Sequence, residues 1–366
     1  MNKLVFGNLV HRPLRSIISI LAVAIEVLMI LSIAGIMLGI LNGGTERTSG
    51  IGMDMFVRPA TTGNLVGVTG AAAPIKVADI LRKIPHVAIA SPVNIQFKMD
   101  NTLENIYGID YQSYNALRPF VFLSGGTFQG PYDVMIDDVF AATKTYKVGQ
   151  TIPVLKHPFR ICGIFEHGKG GRKLIPITTM GDLTDTSGKA SVFYLKLDDI
   201  SNENLVRKEI LATPGMEQYD VQTLQEWLSV MTPNHIPGFN TALYVVSGIA
   251  VVIGFLVIFQ SMYTAVMERT REIGILKSLG ASRFYIVDVV LRESMLLAAA
   301  GIALGVASTF ALRAVLHWRL PTQEFDITAG WIVRGVVVAF LGALLGAAYP
   351  ALKAASKDPI DALAYE

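Results

Sequence analysis

Cysteine is nearly absent from this chain: Cys162 is the only one in 366 residues, so no intramolecular disulfide can form. Any domain outside a membrane must therefore be held by an apolar core alone. Charge is also scarce. Asp, Glu, Lys and Arg make up 16% of residues, against about 25% in soluble domains, while 52% are hydrophobic and the mean hydropathy is +0.47. A formal net charge of +2 excludes the strongly basic footprint of a nucleic-acid-binding protein. Several motifs are missing as well. There is no G-x-x-x-x-G-K-[ST] loop to cradle nucleotide phosphates, no H-E-x-x-H, no G-x-S-x-G, and no Cys/His set at metal-ligand spacing. Glu166-His167 and Asp137-Asp138 are adjacent pairs, and neighbours on a strand point to opposite faces. No catalytic residue, metal ligand or cofactor is assigned. Cys162 lies in an alternating apolar segment and reads as a small buried hydrophobe.

The missing charge is concentrated in a few long apolar runs, each near the roughly 20 residues that a spanning helix needs. They are Ser16–Leu41, Thr241–Met267, Ser294–Leu312 (extending back towards Phe284) and Gly335–Leu352, the last preceded by Trp331. Only the first contains an ionisable residue, Glu26. The first run is too long for a secretory signal, whose apolar region covers about 7–15 residues. Gly301 with Gly305, and Gly342 with Gly346, form small-xxx-small pairs that let helices approach closely in lipid; ordinary glycine abundance in membrane helices is an equal alternative.

Lys and Arg near the helix ends set the orientation. Lys3, Arg12 and Arg15 precede the first run; Arg269, Arg271, Lys277 and Arg283 lie between the second and third; Lys353 and Lys357 follow the fourth. With four spans these segments share one side, so both termini are expected to be cytoplasmic. The predicted layout is a cytoplasmic interfacial helix at 1–15, spans at 16–41, 241–267, 284–312 and 331–352, an extracytoplasmic domain at 42–240, a cytoplasmic link at 268–283, an outer loop at 313–330 and a cytoplasmic tail at 353–366. In the first segment Val5, Phe6, Leu9 and Val10 share a face, and Pro13 is expected to end or bend the helix.

Residues 42–240 change pattern to short apolar stretches broken by Gly, Pro, Asn and Asp. Strands are expected at Val87–Ala90, Asn94–Met99, Asn105–Ile109, Asp133–Ile136, Thr151–Leu155, Arg160–Phe165, Lys173–Ile177 and Val192–Leu197. Helices are expected at Lys76–Lys83, Asn202–Ala212 and Gln222–Met231, and a mobile loop at Gly168-Lys169-Gly170-Gly171. The fold class is thus a membrane α-helical protein with four transmembrane helices and an α+β extracytoplasmic domain inserted between helices 1 and 2.

The link from Met267 to Ser282, MERTREIGILKSLGAS, reads as a short helix on which Ile273, Leu276 and Leu279 spread over about 120°, with Gly280 placed to stop it. This segment resembles the coupling helix of MacB/FtsX-like (type VII) ABC transporter permeases. The ending Tyr349-Pro350-Ala351-Leu352, continuing to Asp358-Pro359-Ile360-Asp361-Ala362-Leu363, is similar to that family's ending. Gly125-Gly126-Thr127-Phe128, Asp137-Asp138, Val148-Gly149-Gln150-Thr151-Ile152 and Cys162-Gly163-Ile164 resemble its outer core domain. The resemblance implies a permease subunit of the bacterial inner membrane that forms a homodimer and binds a separate ABC ATPase subunit. ATP-driven movement would pass by mechanotransmission to the outer domain and move a hydrophobic or amphiphilic substrate. Arg269, Glu272, Ile273, Leu276 and Gly280 are the expected ATPase-coupling residues. The alternative is an FtsX-like transmitter that controls an extracytoplasmic protein partner without transport.

Glu26 stands about 15 Å into its span at about 1.5 Å per residue. A carboxylate at that depth must face protein or a cavity. One reading is a protonated acid bonded to a neighbouring helix, at Ser261 or Thr264. The other is a polar anchor for an amphiphilic substrate, with Met29, Ile33 and Met37 near the same face as adaptable walls. Glu26 and the methionines could also ligate haem iron.

Overall fold

The computed structural model describes residues 13–59, 73–99, 103–235 and 238–357. The surface helix expected over 1–15 falls outside the described residues as far as Arg12, and so does the chain ending from Asp358. In chain order the elements are α1 (Pro13–Ser49), β1 (Met55–Pro59), β2 (Ala73–Pro74), α2 (Val77–Leu81), β3 (Val87–Met99), β4 (Leu103–Ile109), α3 (Tyr111–Leu117), β5 (Phe122–Gly125), β6 (Asp133–Asp137), α4 (Asp138–Thr143), β7 (Thr151–Val154) and β8 (His157–Phe165). There follow β9 (Lys173–Pro176), α5 (Ile177–Leu183), β10 (Lys189–Ala190), β11 (Val192–Leu197), α6 (Glu203–Ala212), β12 (Tyr219–Thr223), α7 (Leu224–Val230), α8 (Phe239–Glu268), α9 (Thr270–Ser278), α10 (Arg283–Arg319) and α11 (Ala329–Ser356). The chain divides into two compact units, a helical one and one formed essentially by Leu41–His235.

Within the helical unit, α1, α8, α10 and α11 are each long and apolar enough to cross a membrane. In lipid a helix satisfies all its own backbone groups, and close approach must come from small side chains. The residues supply them. Ala339, Ala343, Ala347 and Ala351 recur every fourth position of α11 and share a buried core with Val23, Val27 and Leu31 of α1 and Ile258 and Met262 of α8. The glycine pairs are contact points. A Cβ on Gly305 would lie 2.7 Å from the carbonyl of Ala24, and one on Gly346 would lie 2.8 Å from that of Phe255. The segment after α10 also rests on glycines: the Asp326 amide donates to the Gly35 carbonyl at 2.9 Å, and Phe325 covers Gly35.

Helices and apolar runs do not end together. Pro13–Arg15, expected in the interfacial helix, already belong to α1. At its other end α1 continues through Asn42-Gly43-Gly44 to Ser49, past the expected end at Leu41; within this extension the Thr45 and Thr48 hydroxyls donate to the carbonyls of Asn42 and Gly44. Likewise α10 runs to Arg319 rather than Leu312, which shortens the expected 313–330 loop.

The second unit is α+β. Its main sheet has the order β12-β1-β11-β3-β4-β9-β6-β8-β5, with β7 on β8. The two strands expected at Val87–Ala90 and Asn94–Met99 are one strand, continuous through Ser91-Pro92-Val93. It exchanges partners there: Val87–Val93 pair with β11, and Val93–Met99 with β4. Three buried clusters line the sheet, led by Phe193 and Leu195, by Tyr114 and Phe165, and by Phe159 and Ile136. The helix expected from Gln222 begins at Leu224. Thr223 caps it with Glu226 in a reciprocal capping box, while Gln222 pairs with β1. The glycine-rich loop expected to be mobile is packed. Lys169 is 7% exposed, its amine donates to the Arg118 carbonyl at 2.7 Å, and the Gly170 amide donates to Arg47 at 3.0 Å.

Candidate functional site

The connection between α8 and α10 is built as a helix with defined ends. At Arg269 the backbone leaves helical geometry, with φ −111°, and α9 starts at once. It closes in a Schellman motif: Gly280 takes φ +95°, its amide reaches Lys277, and the Ala281 amide reaches Leu276, both at 3.0 Å. Gly280 is therefore a terminator, since left-handed backbone favours glycine.

The apolar residues of α9 divide between two faces. Ile273 and Leu276 turn inward and pack half-buried on the helical core. Together with Met262 and Ile286 they line a cavity of about 80 Å³. The outward face carries Arg271, Glu272, Ile275 and Leu279, the last two 44% and 79% exposed. Lys277 is tied down by hydrogen bonds to the carbonyls of Ala355 and Lys357. Of the ridge expected at Ile273, Leu276 and Leu279, the first two are thus used by the chain itself, while Leu279 stays exposed beside Ile275.

Arg269 is also turned inward. Its guanidinium meets Glu293 of α10 at 3.2 Å. Arg15 of α1 meets the same carboxylate at 3.5 Å and Glu268 at 3.2 Å. Ion pairs thus flank the break between α8 and α9 on both sides. The sequence marks Arg15 only as a helix-end charge and Glu268 only as part of the link, and it does not single out Glu293. Glu293 lies just before an apolar run, where helix-end charges are ordinary, and only the packing shows that it is buried.

Glu26 is 3% exposed, with its carboxyl pressed against Gly254 of α8 and near Gly342 of α11. The partners expected for it are engaged elsewhere. The Ser261 hydroxyl is 2.6 Å from that of Ser19, and Thr264 donates to the Gln260 carbonyl. Met29 is 38% exposed and Met37 is half-buried.

In the inserted unit the adjacent acids find basic partners. Asp137 pairs with Arg172 at 2.8 Å, yet its burial holds its pKa above the usual value. Asp138 pairs with His167 at 3.0 Å. Burial pushes the Cys162 thiol up to about 12. No cluster of three or more candidate metal ligands occurs among the described residues.

Comparison with known proteins accounts for this layout. Residues 16–213 match the model of the MacB-like periplasmic core domain, and residues 244–359 that of the FtsX-like permease C-terminal domain. The macrolide export ATP-binding/permease protein MacB of Azoarcus sp. (strain BH72) is 25% identical over 96% of this chain and 57% of its own length. An uncharacterized ABC transporter permease, YknZ of Bacillus subtilis (strain 168), is 26% identical over 72% of this chain and 68% of its own. The chain thus spans little more than half of the Azoarcus protein. The solved periplasmic region of MacB from Actinobacillus actinomycetemcomitans aligns over 48% of this chain and 92% of its own, with 18% identity and a TM-score of 0.38. With more than half of its residues inside the periplasmic-core match and nearly all of the last three spanning helices inside the permease match, the chain is a multi-pass membrane protein that belongs to the MacB/FtsX-like family of ABC transporter permeases.

Proposed function

We propose that this chain is the permease subunit of an ABC transporter driven by a separate ATPase, and that the outward face of α9 is where the ATPase docks. The observation that carries this reading is the pair Ile275 and Leu279, left exposed beside Arg271 and Glu272 on a helix otherwise anchored to its own bundle. A helix whose inner face is fixed and whose outer face is apolar with charged edges suits a partner groove. Both termini and α9 then lie in the cytoplasm of a bacterial inner-membrane protein, and the inserted unit lies outside. Movement of α9 passes through Arg269 and Glu293 to the spans, and two copies of the chain work together on a hydrophobic or amphiphilic substrate. Gly280 and the inward Ile273 and Leu276 set the shape of the docking helix, while Glu272, Ile275 and Leu279 make the contact. Glu26 is a packing acid in this reading.

The test separates the two faces of α9. Leu279→Asp places a charge on the docking face and should abolish co-purification of the co-expressed ATPase while membrane insertion and thermal stability stay normal. Leu276→Asp buries a charge in the bundle and should lower stability by several kcal/mol. ATPase capture that survives Leu279→Asp would overturn the assignment. Vesicles loaded with candidate amphiphiles then distinguish transport from transmission to an outer partner.

A further inference from the structure

A second feature of the helical unit is a groove between the first turn of α10 and the last turns of α11. It is lined by Arg283, Phe284 and Val287 on one side and by Tyr349, Leu352 and Lys353 on the other. Its volume of about 800 Å³ is in the range of small-molecule sites, roughly 300–1,000 Å³. Its walls are apolar and open: Phe284 is 88% exposed, and Leu352 and Tyr349 are exposed too. Among the described residues that line it, only Arg283 and Lys353 carry charge and none is a carboxylate. Arg283 makes no ion pair among the described residues. The Lys353 amine is aimed by Tyr263, whose hydroxyl it meets at 3.3 Å, and lies over the rings of Tyr263 and Tyr349. Basic groups and tyrosines gathered at one end of spanning helices mark the headgroup level of a bilayer.

We infer that this groove holds an anionic phospholipid, with its phosphate between Arg283 and Lys353 and an acyl chain along Phe284, Val287 and Leu352. Two cations above an apolar wall match a headgroup and tail together, and basic pockets between spanning helices are suited to anionic lipids. A second copy of the chain is a poorer occupant. A two-fold contact brings the same patch from both copies together, and here it would bring the two basic pairs towards each other with no carboxylate among the described lining residues to separate them. The inference does not depend on the identity of the ATPase or of the transported substrate.

The experiment uses the full chain, purified in neutral detergent and stripped of lipid. Dioleoylphosphatidylglycerol and dioleoylphosphatidylcholine are offered in equal amounts, and native mass spectrometry counts the lipid retained. The wild type should prefer phosphatidylglycerol. Arg283→Gln and Lys353→Gln should each cut that preference about fivefold, whereas Arg334→Gln, at the opposite end of α11, should leave it intact. Because Lys353→Gln also removes the bond to Tyr263, Arg283→Gln and Phe284→Ala stand as the variants that disturb no internal contact. An unchanged preference in Arg283→Gln overturns the inference. So does displacement of the lipid by equimolar sn-glycerol 3-phosphate, which would make the groove a site for soluble phosphate esters. High-yield Phe284→Cys self-cross-linking that phosphatidylglycerol does not diminish would assign the groove to a second copy instead.

Discussion

Glu26 is accommodated by what its neighbour lacks. A Cβ built on Gly254 would lie 1.8 Å from the Glu26 Oε2, so the glycine makes room for the carboxyl group. Gly254→Ala should therefore destabilise the bundle by on the order of 1–3 kcal/mol through overpacking. The double variant Glu26→Ala with Gly254→Ala should recover part of that loss, a non-additivity expected of residues in contact. Glu26→Gln, equal in shape, should stay near wild type in thermal unfolding and in any substrate-stimulated activity. If Gln abolished that activity while leaving stability untouched, Glu26 would be a substrate group rather than a packing group. The sequence exposed the depth of Glu26, because one charge in an apolar run is conspicuous. It could not expose Gly254, since the fit depends on an absent side chain two hundred residues away.

At the scale of elements, the glycine-rich loop at 168–171 shows how composition misleads. Glycine runs read as mobile because glycine has the most conformational freedom to lose. Here that freedom lets the backbone approach others: Gly168 and Gly170 take φ +91° and +81°, and a Cβ on Gly50 would meet the Gly168 carbonyl at 1.8 Å. Lys169 is carried inside with them. Burial, then the nearby Arg118, lowers its amine to about 8 from the ordinary 10.5. The folded state therefore binds this proton less tightly than the unfolded chain. The protonated amine weakens the fold below about pH 8, and stability on this account rises between about pH 8 and 10.5. Thermal unfolding of the wild type should show that rise more steeply than Lys169→Met; parallel profiles would remove Lys169 as the cause. The coupling segment teaches a related lesson. Its amphipathic pattern located a short helix and its glycine stop, but a stripe of apolar residues does not say which of them the protein itself consumes. Ile273 and Leu276 went to the bundle, and Ile275 and Leu279 remained outside. The Thr223-x-x-Glu226 capping box, by contrast, was readable and would have placed the start of α7.

For the whole molecule, the topology was the most legible level, because a bilayer admits only segments that close their own hydrogen bonds and these leave long apolar runs. The paired ions around Glu293 and the exchange of partners along β3 were not legible, since both depend on segments far apart in sequence. The missing phosphate loop also acts at this scale. Purified alone, the chain should hydrolyse no ATP above the level of a buffer control, and turnover at a transporter rate by the homogeneous protein would contradict the separate-ATPase reading.

The state of Cys162 has a practical consequence. It is the only thiol in the chain, it is buried, and with a pKa pushed up to about 12 its thiolate fraction at neutral pH is on the order of 10⁻⁵. The native protein is thus its own cysteine-silent background. A pair of cysteines placed within α9 and its neighbouring spans, or within the inserted unit, can take nitroxide labels selectively, so distances can be followed without altering the buried core around Cys162.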